Sequence, residues 1–288
     1  MAERDGATVG ETLKRASLRL TAAGVETARL DAELLLAHQL DTNREALLAD
    51  PDWRMERAVG EEFEQLVARR VDREPLAYIT GSQEFYGLDF LVDQRVLIPR
   101  PETETLVQVA LATAARMGSR TIADVGTGSG AVAVVLAKHL QGVTIYGIDA
   151  SAEALEVAEA NVHKHGVEET VTLLPGSLLE PLEGAVDLIV ANLPYVAEAE
   201  WEDLPREVAR YEPPQALRGG PAGLEAIREL LVQASAYLSP KGAVCVEIAP
   251  HQADPMASLS KEHLPSHHLA VVKDLAGRAR VALLAPPA

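Results

Sequence analysis

The sequence has almost no cysteine and no long apolar run, and each absence excludes a class of protein. Cys245 is the single cysteine among 288 residues, so an internal disulfide is impossible and a reducing compartment is expected. No apolar run approaches the roughly 20 residues that cross a bilayer. The N-terminal sequence MAERDGATVG is charged and lacks the apolar core of a secretory signal. The sequence therefore predicts a soluble cytoplasmic protein with no membrane partner.

Basic residues are also scarce relative to acidic ones. The chain has 26 Lys and Arg against 43 Asp and Glu, a formal net charge of −17. Because affinity for nucleic acid depends largely on neutralising phosphates, this balance argues against stable binding of DNA or RNA and favours a basic protein partner. The hydrophobic fraction of 48% and the length are typical of a globular protein with about two domains.

Residues 1–74 carry apolar side chains at helical spacing and predict a small all-helical domain. The apolar stripes are Val9, Leu13, Ala16 and Leu20, then Leu30, Leu34 and Ala37, then Val59, Phe63, Leu66 and Val67. We interpret these stripes as core packing, because no catalytic group of side chains accompanies them. Asp41 and Thr42 are expected to cap the helix in REALLAD, and Pro51 to end it.

The helical spacing of apolar residues ends at Glu74, and two different sequence patterns follow it. Residues 75–103 alternate apolar and polar side chains around Gly81 and Gly87, which predicts a β-hairpin connector. Residues 104–288 alternate strands and helices, the pattern of a doubly wound α/β sheet. The predicted strands are TIADVG, VTIYGID, TVTLLPG, VDLIVAN, KGAVCVEIA and two C-terminal strands joined by a turn at Gly277. The predicted fold class is therefore α/β, with a mostly parallel seven-stranded sheet that ends in an antiparallel hairpin.

A glycine-rich loop follows the first strand of this sheet. The sequence ADVGTGSGAV places Gly126, Gly128 and Gly130 between a strand and a helix, where the backbone can approach a ligand and helix N–H groups point at it. Asp149 ends the second strand, a position that binds ribose hydroxyls in doubly wound folds. Together the loop and the carboxylate predict a ribose-bearing cofactor. The G-x-G-x-x-G/A spacing also matches nicotinamide enzymes, so a dehydrogenase is an alternative.

Two further features favour S-adenosylmethionine over a dinucleotide. Asp124 lies just before the loop, where a carboxylate would repel a pyrophosphate but hold an amino-acid ammonium. The tetrapeptide Asn192-Leu193-Pro194-Tyr195 follows the fourth strand. Ligands of open α/β sheets bind at the carboxyl ends of the strands, so this tetrapeptide and the glycine loop should meet in one crevice.

Four sequence segments carry a resemblance to a known family. They are EFYGLDFLVDQRVLIPRPETE, DVGTGSGAVAVVLA, YEPPQALRGGPAGLEAIREL and KDLAGRARVAL. Residues 76–284 resemble the class I S-adenosylmethionine methyltransferases and, more narrowly, the peptide-chain release factor glutamine methyltransferases (the HemK/PrmC family). The family's usual tetrapeptide is Asn-Pro-Pro-Tyr, and this chain differs by having Leu193 in place of the first proline. The helical N-terminal region agrees with the family in position and composition.

The resemblance implies methyl transfer from S-adenosylmethionine to the glutamine of the Gly-Gly-Gln loop of release factors, which would be the protein partner. The helical domain would help to recognise that partner. The implied cofactor-binding residues are Asp124, Gly126, Thr127, Gly128, Ser129, Gly130, Asp149 and Asn192. The implied catalytic and glutamine-binding residues are Asn192, Leu193, Pro194 and Tyr195. The Asn192 side-chain oxygen and the Leu193 carbonyl could each accept one N–H of the glutamine amide.

Other residues allow more than one interpretation. Arg100 is held between two prolines and, with Glu102, is a candidate for the substrate mouth, although Glu102 could instead begin a helix. The histidines are expected to be solvated, because no cysteine or carboxylate cluster completes a metal site and the transfer needs no metal. A monomer is expected.

Two other functions are consistent with parts of this sequence. An adenine-N6 methyltransferase acting on DNA or RNA is one alternative, because an exocyclic amine presents the same two N–H groups as a primary amide. A non-catalytic protein that binds the cofactor and docks a partner is the other.

Overall fold

The computed structural model describes residues 6–287, which form two compact units. One unit consists of residues up to Gly81 together with Pro205–Tyr211, and the other of Ser82–Leu204 together with residues from Glu212 onward. The first five residues of the charged N-terminal segment discussed above lie outside the described residues, as does residue 288. Within residues 6–287, no helix has both the length and the apolar character that a membrane span requires.

The first unit is helical and has its own core. Its helices are α1 (Val9–Ala22), α2 (Ala28–Gln39), α3 (Arg44–Ala49), α4 (Arg57–Val71), α5 (Leu76–Thr80) and α9 (Arg206–Tyr211). The start of α1 is fixed by a capping box, in which Thr8 and Glu11 each accept the other's backbone N–H. Leu20, Phe63 and Val67 are fully buried in the core, as the stripes of α1 and α4 predict.

The predicted core face of α2 is wrong at Leu30. This side chain is 38% exposed, whereas Asp31 on the next position is only 3% exposed. Asp31 can be buried because its Oδ2 lies 2.7 Å from Arg70 Nε on α4, so the charge is compensated inside the unit. The apolar pattern of α2 alone could not indicate this long-range partner.

The predicted cap of α3 is also wrong. Asn43 caps the helix, because its side-chain oxygen accepts the Ala46 N–H at 2.8 Å. Asp41, which was expected in this role together with Thr42, has a φ of 47°. An N-cap residue needs extended backbone, so Asp41 serves the turn that leaves α2 instead.

A two-stranded antiparallel hairpin opens the second unit. Strand β1 (Ser82–Phe85) pairs with β2 (Leu88–Leu91) through a turn at Tyr86 and Gly87. Both turn residues have positive φ, 53° and 74°, as a two-residue hairpin turn requires. Phe85 is buried at 1% exposure, which accounts for the alternating pattern of this segment.

The main sheet of the second unit has the predicted fold. Its strands are β3 (Thr121–Val125), β4 (Thr144–Asp149), β5 (Val171–Pro175), β6 (Val186–Ala191), β7 (Leu238–Glu247), β8 (His268–Lys273) and β9 (Ala279–Ala285). Their order is β5-β4-β3-β6-β7-β9-β8, and β9 runs antiparallel to both of its neighbours while β3 to β7 are parallel. The strand order reverses beside β3, so the crevice for a ligand is expected between the ends of β3 and β6.

Helices cover both faces of this sheet. They are α6 (Thr103–Met117), α7 (Ala131–His139), α8 (Ala152–His165), α10 (Glu225–Tyr237) and α11 (Ala253–His263). Ile189 and Val190 are adjacent on β6 and belong to separate buried clusters, because side chains alternate between the faces of a strand. Helix α11 was not predicted, since its sequence ADPMASLSKEH contributes only Met256, Leu259 and Ser260 to the buried face.

Candidate active site

A cavity of about 580 Å³ lies at the carboxyl ends of β3, β4 and β6, and its size suits a small-molecule ligand. The predicted cofactor residues that line it are Asp124, Gly126, Thr127, Gly128, Ser129, Asp149 and Asn192. Leu193, Pro194 and Arg100 also line it. Three predicted site residues are absent from its lining: Gly130, Tyr195 and Glu102. The structure thus brings the two halves of the predicted site together in one crevice.

The glycines of the loop after β3 have positive φ angles of 72°, 54° and 77°. A Cβ atom on Gly126 would lie 3.2 Å from Leu193 Cδ2, and one on Gly130 would lie 3.2 Å from Ala158 Cβ. A Cβ atom on Gly128 would have the Gly126 carbonyl oxygen as its nearest neighbour, at 4.0 Å. Gly126 and Gly130 therefore let the loop pack against the tetrapeptide and α8, whereas Gly128 leaves the backbone open to a ligand.

Asp124, the residue before the last of β3, is buried beneath the loop at 1% exposure. Its Oδ2 accepts hydrogen bonds from Thr127 Oγ1 at 2.6 Å and from the Ala133 N–H at 3.1 Å. Burial raises the pKa of Asp124 to about 7, although both hydrogen bonds oppose the rise. Asp124 therefore ties the loop to the first turn of α7, a structural role that the sequence did not indicate.

This carboxyl group should make the stability of the protein depend on pH. Its pKa of about 7 in the folded chain exceeds the ordinary value of 3.8, so between these values the folded chain binds more protons than the unfolded one. The free energy of unfolding should therefore fall as pH rises through this window, by up to about 1.4 kcal/mol per pH unit. Denaturant titrations of wild type and Asp124→Asn between about pH 5 and pH 7 test this, because the variant should lose that part of the slope. Equal slopes in both proteins would contradict the assignment.

Asp149 ends β4 with both carboxylate oxygens held by backbone N–H groups. Oδ2 accepts from Gly128 and Oδ1 accepts from Ser151, each at 2.9 Å. A carboxylate has about four lone-pair positions, so two are still available for the hydroxyl groups of a ligand. The side chain is therefore fixed at the wall of the cavity and can still accept hydrogen bonds.

The tetrapeptide begins directly after β6, and its first three residues line the cavity. Asn192 Nδ2 donates a hydrogen bond to Thr103 Oγ1 at 3.2 Å. Because the amide nitrogen is used in this way, Oδ1 is the atom that can accept from a ligand. Leu193 is 5% exposed and packs into the core on one face of the sheet. Asn192 therefore lines the crevice with its amide nitrogen bonded to Thr103.

The segment RGGPAG supports the tetrapeptide through close backbone contacts. A Cβ atom on Gly219 would lie 2.7 Å from the Pro194 carbonyl oxygen, and one on Gly223 would lie 2.3 Å from the Tyr195 carbonyl oxygen. Gln252 is fully buried and donates from Nε2 to the carbonyls of Tyr195, at 3.3 Å, and Gly223, at 2.9 Å. These contacts fix the course of the chain after Pro194, and sequence reasoning missed them because the partners are far apart in the chain.

Arg100 lines the cavity and forms a salt bridge with Glu212. Glu212 is 3% exposed, and its Oε2 also accepts the Ile98 N–H at 3.4 Å. Burial raises the pKa of Glu212, an effect that Arg100 opposes. This salt bridge joins two segments at the cavity, IPRPETE (residues 98–104) and YEPP (residues 211–214). Glu102 is the N-cap residue of α6 and lies 3.8 Å from Arg278.

Tyr195 lies among buried charged groups instead of lining the cavity. Its burial and the nearby Glu247 carboxylate raise the pKa of the phenol to about 12, with Arg280 and Arg100 opposing the rise. The phenol is therefore neutral at physiological pH. The structure therefore does not place Tyr195, one of the predicted glutamine-binding residues, in the lining of the cavity.

Asn161 on α8 is a site residue that sequence reasoning missed. It is fully buried, its Nδ2 donates to the carbonyls of Ser129 and Leu91 at 2.9 Å, and its Oδ1 accepts the Leu91 N–H at 2.7 Å. Asn161 thereby ties the hairpin to the glycine loop. The available signal was a polar residue on the apolar face of a predicted helix, next to Ala158 and Val162.

Cys245 is buried in β7, as predicted. The histidines are more varied than expected: His163 is exposed and pairs with Glu168, whereas the His263 side chain is only 15% exposed. Among residues 6–287, no group of three or more His, Cys, Asp or Glu side chains is placed to hold a metal ion.

Two family models match this chain. The PrmC N-terminal domain matches residues 11–81, and the methyltransferase small domain matches residues 102–209. The first match falls on the helical unit and the second includes the glycine loop, Asp149 and the tetrapeptide.

Similar proteins are found over almost the whole chain. The release factor glutamine methyltransferase of Moorella thermoacetica is 43% identical over 274 residues, which cover 95% of this chain and 96% of that protein. The release factor glutamine methyltransferase of Geobacter sulfurreducens is 44% identical over 236 residues, 82% of each chain. A solved methyltransferase from Pyrococcus furiosus, 19% identical, superposes with a TM-score of 0.51 over 76% of this chain and 96% of its own. At that identity the solved structure supports the fold alone.

Proposed function

The chain belongs to the release factor glutamine methyltransferases, and on this premise we propose that it methylates the side-chain amide of the glutamine in the Gly-Gly-Gln loop of a release factor, with S-adenosylmethionine as methyl donor. The observation that carries the proposal is the convergence of the glycine loop, Asp149 and Asn192 on one cavity. A substrate that works on the ribosome implies that the enzyme acts in the cytoplasm.

The residues of the cavity suit S-adenosylmethionine. Gly128 leaves the backbone open to a ligand, and Asp149 keeps acceptor positions for ribose hydroxyls. Asp124 lines the cavity, and an ammonium group bound there would favour the ionised form of this buried carboxyl group. Bound there, the cofactor would supply an electrophilic methyl carbon on a sulfonium, and the amide nitrogen would take this carbon while the electron pair of the carbon–sulfur bond stayed with sulfur.

The tetrapeptide addresses the weakness of an amide as a nucleophile. The nitrogen lone pair is shared with the carbonyl, a delocalisation reflected in a rotation barrier of about 18–20 kcal/mol. Asn192 Oδ1 and the Leu193 carbonyl would each accept one N–H, orient the nitrogen and favour the positive charge that develops on it. The excess proton then leaves the nitrogen for water. A glutamine turned with its oxygen forward would face two acceptors and be rejected.

Leu193 is compatible with this mechanism although the family usually has proline there. The proposed contribution comes from the main-chain carbonyl, which leucine supplies as well as proline. The Leu193 side chain is buried against Gly126, so packing can replace part of the rigidity that a proline ring would give. Pro194 still restricts Leu193 to extended backbone.

Arg100 and Glu102 are proposed to shape the mouth of the substrate site. Arg100 is supported in this role by its place on the cavity wall and by its salt bridge with Glu212. For Glu102 the support is only its neighbouring position. The helical unit is proposed to recognise the body of the release factor.

Mass spectrometry of a release factor after incubation with the protein and S-adenosylmethionine tests the proposal. One added methyl group on the glutamine of the Gly-Gly-Gln loop is expected, and a release factor with that glutamine replaced by glutamate is the matched control. Methylated adenine in DNA or RNA, with an unmodified release factor, would instead support a nucleic-acid methyltransferase. Cofactor binding with no methylated product would support a binding protein.

A further inference from the structure

The glycine loop of the cavity, residues 126–130, depends on contacts from outside for its shape. Its three glycines have positive φ and little intrinsic preference for one conformation. On the side of β3 the main chain of β4 fixes it, because the N–H groups of Gly126 and Thr127 donate to the Ile148 carbonyl at 2.8 and 3.0 Å. In the middle, the Gly128 N–H donates to Asp149 at 2.9 Å. The half of the loop that enters α7 needs another partner.

Asn161 on α8 fixes that half and fastens it to the hairpin. Its Nδ2 donates to the carbonyls of Ser129 and Leu91, each at 2.9 Å, and its Oδ1 accepts the Leu91 N–H at 2.7 Å. The orientation of this amide is unambiguous, because a flipped amide would set its oxygen against two carbonyl oxygens and its NH₂ group against an N–H. One buried side chain thus joins the last residue of β2 to the glycine loop.

Both segments that Asn161 joins belong to the cavity. Gly128 and Ser129 line it from the glycine loop, and Phe85 and Val96 line it from the hairpin and the segment that follows. Phe85 lies on β1, which pairs along its length with β2. The position of the hairpin relative to the glycine loop therefore sets the spacing of two walls of the cavity.

We propose that Asn161 is a positioning residue for S-adenosylmethionine, which holds the glycine loop and the hairpin in the arrangement that binds the cofactor. The inference rests on the proposed cofactor but not on the identity of the methyl acceptor. Asn161 is not among the residues that line the cavity, so it acts through the main chain of Ser129 and Leu91. Without its amide, the Ser129 carbonyl loses this hydrogen bond in a buried place, and the loop is driven toward conformations that satisfy the carbonyl elsewhere.

Asn161→Ala should raise the Kd of S-adenosylmethionine about 10- to 100-fold, the range that corresponds to a buried carbonyl left without its partner. The loop of the variant occupies the binding conformation for only part of the time, and the Kd rises by the inverse of that fraction. Saturating cofactor restores the conformation, so kcat at saturation should stay close to the wild-type value. Calorimetric titration of the full chain measures the Kd.

Asn161→Asp separates hydrogen bonding from packing. Aspartate has nearly the size of asparagine, but its carboxyl group donates to one carbonyl at most, and to none when it is ionised. The Kd of this variant should therefore be raised as well. A wild-type Kd in either Asn161→Ala or Asn161→Asp would overturn the proposal.

Asp187→Ala is the matched control for a loss of hydrogen bonds in the same sheet. Asp187 accepts the N–H groups of Arg120 and Thr121 at 2.8 and 3.1 Å and the Ser239 hydroxyl at 2.9 Å. The variant thus loses at least the three hydrogen bonds that Asn161→Ala loses, but near the start of β6, whereas the cavity lies at the carboxyl ends of the strands. Its Kd should equal that of the wild type. An equal rise in Asp187→Ala would assign the effect to lower stability of the whole sheet and overturn the positioning role.

Hydrogen exchange supplies a readout that does not depend on activity. Without cofactor, the amides of the glycine loop and of the hairpin should exchange faster in Asn161→Ala than in the wild type, and saturating S-adenosylmethionine should restore their protection. Unchanged exchange of the glycine loop in Asn161→Ala would overturn the inference even if release factor is methylated. Faster exchange and a raised Kd, with no methylation of release factor by the wild type, would support the inference and reject the proposed substrate.

Discussion

Replacing Asn192 with alanine should reduce methyl transfer to release factor about 100- to 1000-fold, the effect typical of removing one pre-positioned hydrogen-bonding group from a reaction centre. The variant loses Oδ1, one of the two proposed acceptors for the substrate amide. It keeps Asp149 and the glycine loop, which line the cavity independently. Cofactor binding, measured by calorimetry, should therefore persist while transfer of labelled methyl nearly stops.

Asn43→Ala is the matched control for this experiment. Asn43 caps α3 in the helical unit, and its loss should cost about 1 kcal/mol of stability. It should leave the rate of transfer unchanged, because the same chemical change is made outside the cavity. Transfer by Asn192→Ala at close to the wild-type rate would reject the proposed role of the tetrapeptide, whatever the control shows.

The sequence predicts the parts of this molecule that depend on local patterns. All seven strands of the main sheet follow from short apolar runs and turn residues, and their order places the glycine loop beside β6. The spacing of the glycines and Asp149 at the end of β4 then locate the cavity. These features are readable because their physical causes, strand burial and positive φ, act within a few residues.

The supporting contacts of the site could not be predicted in the same way. Asn161 and Gln252 are buried polar residues whose hydrogen-bond partners come from distant segments. In the sequence each is one polar residue among others, and its own element does not show which partner it will have. Their hydrogen bonds are defined only when the sheet, the hairpin and the RGGPAG segment are assembled, so a pattern of side chains along one element cannot reveal them.

Loss of Arg70 should destabilise the helical unit by about 3–5 kcal/mol, because it leaves Asp31 as an uncompensated buried charge. Arg70 is 7% exposed and Asp31 is 3% exposed, and they lie 2.7 Å apart. After Arg70→Met, the partner left to Asp31 is the Thr27 hydroxyl, which is 2.7 Å away and carries no charge. Hydrogen exchange of α2 and α4 peptides in the full chain should show faster opening of both helices.

The reverse substitution should have a smaller effect, and this asymmetry makes the test specific. In Asp31→Leu, Arg70 keeps its hydrogen bond to the Glu74 carbonyl at 3.0 Å and its contact with Glu207 at 3.3 Å. Its charge therefore stays compensated inside the helical unit. The double variant, Asp31→Leu with Arg70→Met, should be more stable than Arg70→Met alone, since an apolar pair replaces an ion pair instead of breaking one. If Arg70→Met and Asp31→Leu open α2 and α4 equally, the burial of Asp31 does not depend on this cation, and the explanation for the exposed Leu30 fails with it.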